Sequence, residues 1–120
     1  MAIQLGDTFV LGLGGHLWVV ISDPCKHAGD FVIVNITTDV NRAGTDCELN
    51  AGDHQWVRHK SYVNFGDARK VNPTEGTKIS AYMANGTIAK HFPVNPVVLQ
   101  KIIAAAKTSK ALPTGFLAYI

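Results

Sequence analysis

Short runs of hydrophobic residues alternate with turn residues over the first two-thirds of the chain. β-branched and aromatic residues dominate the runs, a composition typical of strands. The predicted strands cover residues 8–11, 16–22, 31–38, 46–49, 61–65 and 68–71. The third run is almost continuously apolar, which indicates a strand covered on both faces or lying deep in a small barrel. The polar residues 51–60 predict a loop or a single helical turn.

The last third of the chain changes character. Residues 78–84 and 87–90 flank Asn85-Gly86, a dipeptide that favours a two-residue hairpin turn, so a hairpin is predicted here. Asn95-Pro96 predicts a helix start, with Asn as the N-cap and Pro at the first helical position. An apolar stripe at helical spacing follows; its members are Leu99, Ile102, Ile103 and Ala106. The apolar tail, residues 112–120, is expected to pack back on the body.

This order of elements predicts a mainly-β (α+β) fold, a small β-barrel with a C-terminal helix. The 120 residues are 47% hydrophobic and 17% charged, which suits one domain over residues 1–120 with one core. A formal net charge of +2 excludes a general polyanion binder held by bulk charge. The sequence has no apolar run long enough to predict a membrane helix and no N-terminal pattern that predicts a signal peptide. Its two cysteines, Cys25 and Cys47, do not form a CxxC motif. A cytoplasmic protein with two free thiols is expected.

A polar cluster near the middle of the chain has side chains suited to work on a phosphodiester. His54 and His59 lie five positions apart, with Arg58 and Lys60 beside His59. One imidazole can take the proton of a ribose 2′-hydroxyl while the other protonates the leaving 5′-oxygen, and a cation can stabilise the phosphorane. Trp56 could stack on an unpaired base. The alternative is a solvated polar loop.

The histidine spacing does not match HExxH and no third ligand stands nearby, so neither a metal nor a cofactor is expected.

Other candidates lie at strand ends. His16 opens a strand after the Gly-rich turn 12–15, which matches neither a Walker loop nor GxGxxG. This position suits a binding cleft and equally suits a simple β-turn. Thr37 and Thr38 end the most apolar strand and offer hydroxyls, although strand termination also explains them.

The ordered set of features resembles the PemK/MazF family of toxin components of bacterial toxin–antitoxin modules. The resemblance spans nearly the whole chain. Its segments are Gly6-Asp7, LWVVISDP (17–24), VNITT (34–38), NFGDARKV (64–71) and the helix from Asn95. It implies an SH3-like β-barrel, a homodimer, a cognate antitoxin partner and cleavage of single-stranded RNA without metal.

The resemblance also implies site residues. Thr37 or Thr38 matches the family's active-site hydroxyl, and Asp67 matches an acidic position used in some members. Where the family has a catalytic Arg before its second strand, this chain has His16-Leu17. Either His16 takes over as acid or base, with Arg58 or Arg69 supplying positive charge, or the active site is lost.

The resulting hypothesis is an endoribonuclease toxin. Its catalytic candidates are His16, His54, His59, Thr38 and Asp67. Its substrate-binding candidates are Trp56, Arg58, Arg69, Thr37 and Lys60. Two alternatives remain: a non-catalytic SH3-like module or a toxin that poisons a protein such as DNA gyrase, and, with weaker support, an accessory protein that binds a small nucleotide at the Gly-rich turn.

Overall fold

A six-stranded antiparallel sheet organises the computed structural model, which describes residues 2–12 and 15–120. The strands are β1 (Thr8–Leu11), β2 (His16–Val20), β3 (Phe31–Thr37), β4 (Glu48–Leu49), β5 (Ser61–Val71) and β6 (Ala89–His91). Their order in the sheet is β4-β5-β3-β2-β1-β6. The mainly-β (α+β) class expected from the sequence is confirmed.

Within the described residues, three α-helices accompany the sheet: α1 (Val40–Ala43), α2 (Pro73–Ala84) and α3 (Pro96–Thr108). The helix expected after Asn95 is confirmed as α3. The Asn95 side chain accepts a hydrogen bond from the Val98 N–H at 2.8 Å, which caps the first turn. The apolar stripe of α3 faces the core; its buried members are Val98, Leu99, Ile102 and Ala106. No helix in the described ranges is long and apolar enough to cross a bilayer.

The hairpin expected around Asn85-Gly86 is wrong, because the whole of its first strand, residues 78–84, lies in α2. Asn72 Oδ1 accepts from the Glu75 N–H at 2.8 Å, and Glu75 Oε1 accepts from the Asn72 N–H at 3.2 Å. This capping box, with Pro73 at the first helical position, starts a helix. The residues after Gly86 form β6, which pairs with β1 from across the sequence.

The two faces of the sheet pack against different elements. One face, the α3 face, carries Leu17, Val19, Val34 and Val63 and packs against α3. Part of the 50–60 loop and the C-terminal tail also contact this core, as expected for the tail. The other face, the α2 face, carries a second core of Phe9, Trp18, Val20, Phe31, Ile33 and Val71, against which Ile79 and Met83 of α2 pack. Polar side chains occupy the rest of the α2 face.

Candidate active site

An inner row of side chains crosses the α2 face where the second core ends. It runs Trp18–Asn35–Asn64, because directly opposed residues of antiparallel strands share a face. Asn35 and Asn64 are only 1% and 5% exposed. Asn35 Nδ2 donates a hydrogen bond to Asp67 Oδ2 at 2.5 Å. The predicted candidate Asp67 is therefore anchored to the centre of this row.

An irregularity in β5 brings Asp67 to that position. Asn64 pairs with Asn35 and Arg69 pairs with Ile33, so β5 advances five residues while β3 advances two. The extra residues bulge from the ladder, and bulges commonly re-aim side chains next to functional sites. The half-buried Asp67 lies within this bulge and Arg69 resumes the pairing directly after it.

Arg69 supplies positive charge beside the inner row. Its guanidinium carbon lies 5.1 Å from the centre of the Trp18 ring, within the range of a cation–π contact. Arg69 is exposed, and no carboxylate of the described residues forms an ion pair with it. The cation therefore rests on an aromatic surface and stays available to an anionic ligand.

An outer row lies two residues further along the strands, roughly 7 Å away. It contains Thr37, Tyr62 and Glu48, which are opposed across β3, β5 and β4. Thr37 is 7% exposed and its Oγ1 accepts a hydrogen bond from the Asp39 N–H at 3.1 Å, which leaves its own O–H free to donate. The predicted candidate Lys60 forms an ion pair with Glu48 at 3.2 Å, so it lies at the rim of this row.

His16 stands at the β2 end of the outer row, because Leu17 pairs with Ile36 and the next position opposes Thr37. Its ring is half-buried, and Nδ1 lies 3.4 Å from the Ile36 carbonyl oxygen. A carbonyl can only accept, so this contact is a hydrogen bond when Nδ1 carries the hydrogen, and in the neutral ring the lone pair is then on Nε2. The fold thus holds the ring with a basic nitrogen that a substrate can approach.

The structure does not bring His54 to these rows. His54 is 5% exposed; its Nε2 lies 2.5 Å from the Phe92 carbonyl oxygen, and its Nδ1 accepts from the Trp56 N–H at 2.9 Å. Thr8, 3.4 Å from Nε2, belongs to the α3 face through its pairing with Val19. Both ring nitrogens are occupied on the other side of the sheet, so the expected catalytic role does not fit this position.

The rest of the polar cluster is also dispersed. Trp56 is half-buried against the core of the α3 face, where it is unavailable as an open stacking platform. Arg58 and His59 are exposed, and no hydrogen bond, ion pair or ring contact within the described ranges joins either side chain to the two rows. Thr38 is exposed and lies just beyond the end of β3. Of the two hydroxyl candidates, Thr37 is therefore the one on the site face.

Another concave surface formed by the described residues lacks this combination of groups. A groove of about 570 Å³ runs between Ile3, Phe31 and α2, but it is lined mainly by small and apolar residues and contains no histidine. No cluster of three metal-ligating side chains occurs in the described ranges. The Gly-rich turn suggested as a nucleotide site includes Leu13 and Gly14, which lie outside the described residues.

Comparison with known proteins finds similarity in structure. No family model and no curated protein sequence matches the chain. A mycobacterial endoribonuclease in complex with its cognate antitoxin superposes with a TM-score of 0.56 at 20% identity, over 93% of this chain and 96% of that chain. A second mycobacterial endoribonuclease gives 0.59 at 22% identity, over 94% and 95%. This chain has the fold of those endoribonucleases. At such identity the likeness establishes the fold alone, so function has to be argued from the side chains.

Sequence reasoning missed Asn35, Tyr62 and Asn64. A signal was present, because Asn35 interrupts an apolar strand and Thr37 follows two positions later on the same face. Tyr62 and Asn64 repeat that spacing in β5. Each polar pair marks one strand face, but only the register shows that the two pairs lie side by side.

Proposed function

We propose that this chain is an endoribonuclease that cleaves single-stranded RNA and serves as the toxin of a toxin–antitoxin module. The observation that carries the proposal is the pair of polar rows on the α2 face. There an oriented imidazole, a carboxylate and an unpaired guanidinium lie on a fold shared with mycobacterial endoribonucleases. Acid–base groups beside a cation are what transfer within a phosphodiester requires.

His16 is the general base of this proposal. Its Nε2 takes the proton of a ribose 2′-hydroxyl, and the freed oxygen attacks the adjacent phosphorus. The bond from phosphorus to the 5′-oxygen then breaks, which leaves a 2′,3′-cyclic phosphate and a 5′-hydroxyl. Tyr62, across Thr37 from His16, gives its phenolic proton to the departing oxygen. His16 then releases its proton to solvent and Tyr62 regains one from solvent, which restores both groups. Two strand spacings, about 10 Å between Cα atoms, leave room for a phosphate between the two side chains.

Arg69 stabilises the charge that develops on the phosphorus oxygens. It is exposed, and the Trp18 contact costs little to exchange for a phosphate, since an exposed cation–π contact contributes only about 0.5–1 kcal/mol. Thr37 and Asp67 orient substrate groups by hydrogen bonding. One well-placed cation suffices for a single phosphate, which is compatible with the net charge of +2.

An antitoxin is the partner that this function requires. One structural neighbour is an endoribonuclease in complex with its cognate antitoxin. For this chain we propose a protein partner that covers the two polar rows and so blocks access of RNA. The homodimer implied by the family resemblance and the cytoplasmic location stay predictions.

Labelled single-stranded RNA, incubated with the purified protein in EDTA, tests the proposal. We expect cleavage to products with cyclic phosphate ends. The His16→Ala variant should be slower by about 10²- to 10⁴-fold, and Arg69→Ala by about 10²- to 10³-fold. His59→Ala is the matched control, an exposed histidine outside the rows, and should cleave at the wild-type rate.

RNA that stays intact after prolonged incubation would refute the endoribonuclease proposal. Arrest of bacterial growth with intact RNA would instead favour the alternative of a poisoned protein target. Loss of cleavage on adding EDTA would refute chemistry by side chains alone. If His59→Ala lost as much activity as His16→Ala, the result would show that the 50–60 loop takes part in catalysis.

A further inference from the structure

The amide of Asn35 is incompletely satisfied at the centre of the inner row. Its Nδ2 donates to Asp67, but Oδ1 is the one buried side-chain polar atom in the described ranges that has no hydrogen-bond partner. Leaving a buried acceptor unpaired is unfavourable, because the atom has given up its hydrogen bonds to water without replacing them. The amide cannot simply be reversed, because its oxygen would then face the carboxylate. The fold retains an unpaired acceptor where its candidate site lies.

Asp67 places a second acceptor beside the first. Its Oδ2 is held by Asn35, and its Oδ1 receives no hydrogen bond from any described residue. An ionised carboxylate offers only acceptors. Asn35 Oδ1 and Asp67 Oδ1 are therefore two oxygen acceptors that no described residue satisfies, on side chains joined by the hydrogen bond from Asn35 Nδ2 to Asp67 Oδ2.

Arg69 is the charged side chain that passes closest to the inner row at Trp18. It stands on β5, and its guanidinium reaches the Trp18 ring on β2. Because β3 lies between those strands, the Arg69 side chain crosses β3 beside Asn35, which pairs with Trp18. A phosphate that draws Arg69 away from Trp18 would open the surface of the sheet beside Asn35.

We propose that Asn35 and Asp67 select guanine next to the cleaved phosphate; this inference rests on the proposed function. The Watson–Crick edge of guanine carries adjacent N1–H and N2–H donors, which match Asp67 Oδ1 and Asn35 Oδ1. Adenine, cytosine and uracil each place an acceptor beside their donor on that edge, so they would set lone pair against lone pair. The edge is free in single-stranded RNA, where bases are commonly recognised in this way.

Binding of short fluorescent RNAs to the His16→Ala variant, followed by anisotropy, tests the selection without cleavage. We expect an RNA with one guanine to bind about 10- to 100-fold more tightly than the same RNA with adenine at that position. Inosine lacks the N2 amino group and should lose most of that gain. 7-Deazaguanine, altered on the opposite edge, should keep it.

A substitution at Asp67 provides the sharper test, because it predicts a new preference. In Asp67→Asn, the amide oxygen keeps the bond from Asn35 Nδ2 and the amino group puts a donor where Oδ1 was an acceptor. Beside the Asn35 Oδ1 acceptor this donor matches adenine and cytosine, so the preference should move from guanine to those two bases. Asp30→Asn is the matched control: it removes the same charge at the opposite end of β3 from Thr37 and should leave the guanine preference intact.

The outcomes separate the two proposals. RNA that is bound and cleaved without a guanine preference overturns this inference and leaves the endoribonuclease standing. An unchanged preference in Asp67→Asn does the same. Wild-type protein that neither binds nor cleaves any RNA overturns the proposed function and this inference together.

Discussion

Replacing His54 by alanine should lower the free energy of unfolding, and it should leave the catalytic groups of the two rows in place. His54 is 5% exposed and fastens the 50–60 loop to the segment between β6 and α3. Its Nε2–H donates to the Phe92 carbonyl at 2.5 Å, and its Nδ1 accepts from the Trp56 N–H at 2.9 Å. Alanine removes both bonds, leaves the half-buried Trp56 N–H without its acceptor, and opens a cavity.

The magnitude follows from these contacts. Each lost bond contributes about 0.5–1.5 kcal/mol net, and a buried donor left unpaired costs about 1–3 kcal/mol. The Phe92 carbonyl keeps its bond from Thr8 Oγ1 at 2.7 Å, so only the Trp56 N–H bears the larger penalty. We expect His54→Ala to lower the free energy of unfolding by about 2–4 kcal/mol.

Urea unfolding followed by tryptophan fluorescence measures this loss. With an m-value of about 1–3 kcal/mol/M, the midpoint should fall by about 1–3 M. His59→Ala, five positions along and exposed, should stay within about 0.5 kcal/mol of wild type. His54→Gln keeps a donor for the Phe92 carbonyl and should lose about half as much. A His54→Ala protein with wild-type stability and no ribonuclease activity would refute the reasoning and restore His54 as a catalytic residue.

The other predictions concern helix capping, core packing, thiol reactivity and a surface ion pair. Asn72→Ala removes one side of the α2 capping box and should cost about 1 kcal/mol, measured by thermal unfolding; no change in Tm would contradict the capping role. Ile102→Ala, at a fully buried α3 position, should cost about 2–5 kcal/mol in urea unfolding, and a smaller loss would contradict its place in the core. Cys25 is exposed, whereas burial raises the pKa of the Cys47 thiol, so a thiol reagent at pH 8 should label one cysteine rapidly and the second only in denaturant. Equal labelling of both in the native protein would oppose this. Lys60→Ala breaks a half-exposed ion pair and should change stability by less than about 1 kcal/mol; a larger loss would show that the pair is more than a rim contact.

Local signals in the sequence were sufficient for most elements. The strand at residues 8–11 and the helix after Asn95 follow from β-branched runs and from the Asn-Pro cap. The hairpin predicted from Asn85-Gly86 was wrong, because the capping box at Asn72 starts α2 upstream of it. A capping box and a turn dipeptide are both local signals. Whether the segment becomes a helix or a hairpin is decided by the packing of the apolar α2 side chains on the sheet, which joins residues far apart in the sequence.

The candidate site was also predictable from the sequence only in part. The sequence identified His16 and Arg69 from residue type and position, whereas the active-site roles of Thr37 and Asp67 came from the family resemblance. It also favoured His54 and His59, because a sequence shows only which polar residues are close together along the chain, and these two lie in the densest such cluster. Closeness in space depends on strand register, which pairs residues far apart in sequence.

The sequence by itself therefore determined the mainly-β class, the C-terminal helix and a set of groups able to act on a phosphodiester. Only the tertiary structure decided which of them meet. The β3–β5 register and its bulge place Asp67 against Asn35, and the 50–60 loop holds His54 against Phe92 and Thr8 on the other side of the sheet. The physical reason is that a strand has two faces. A one-residue change in register exchanges them, and no local property of the chain records which face a partner strand will share.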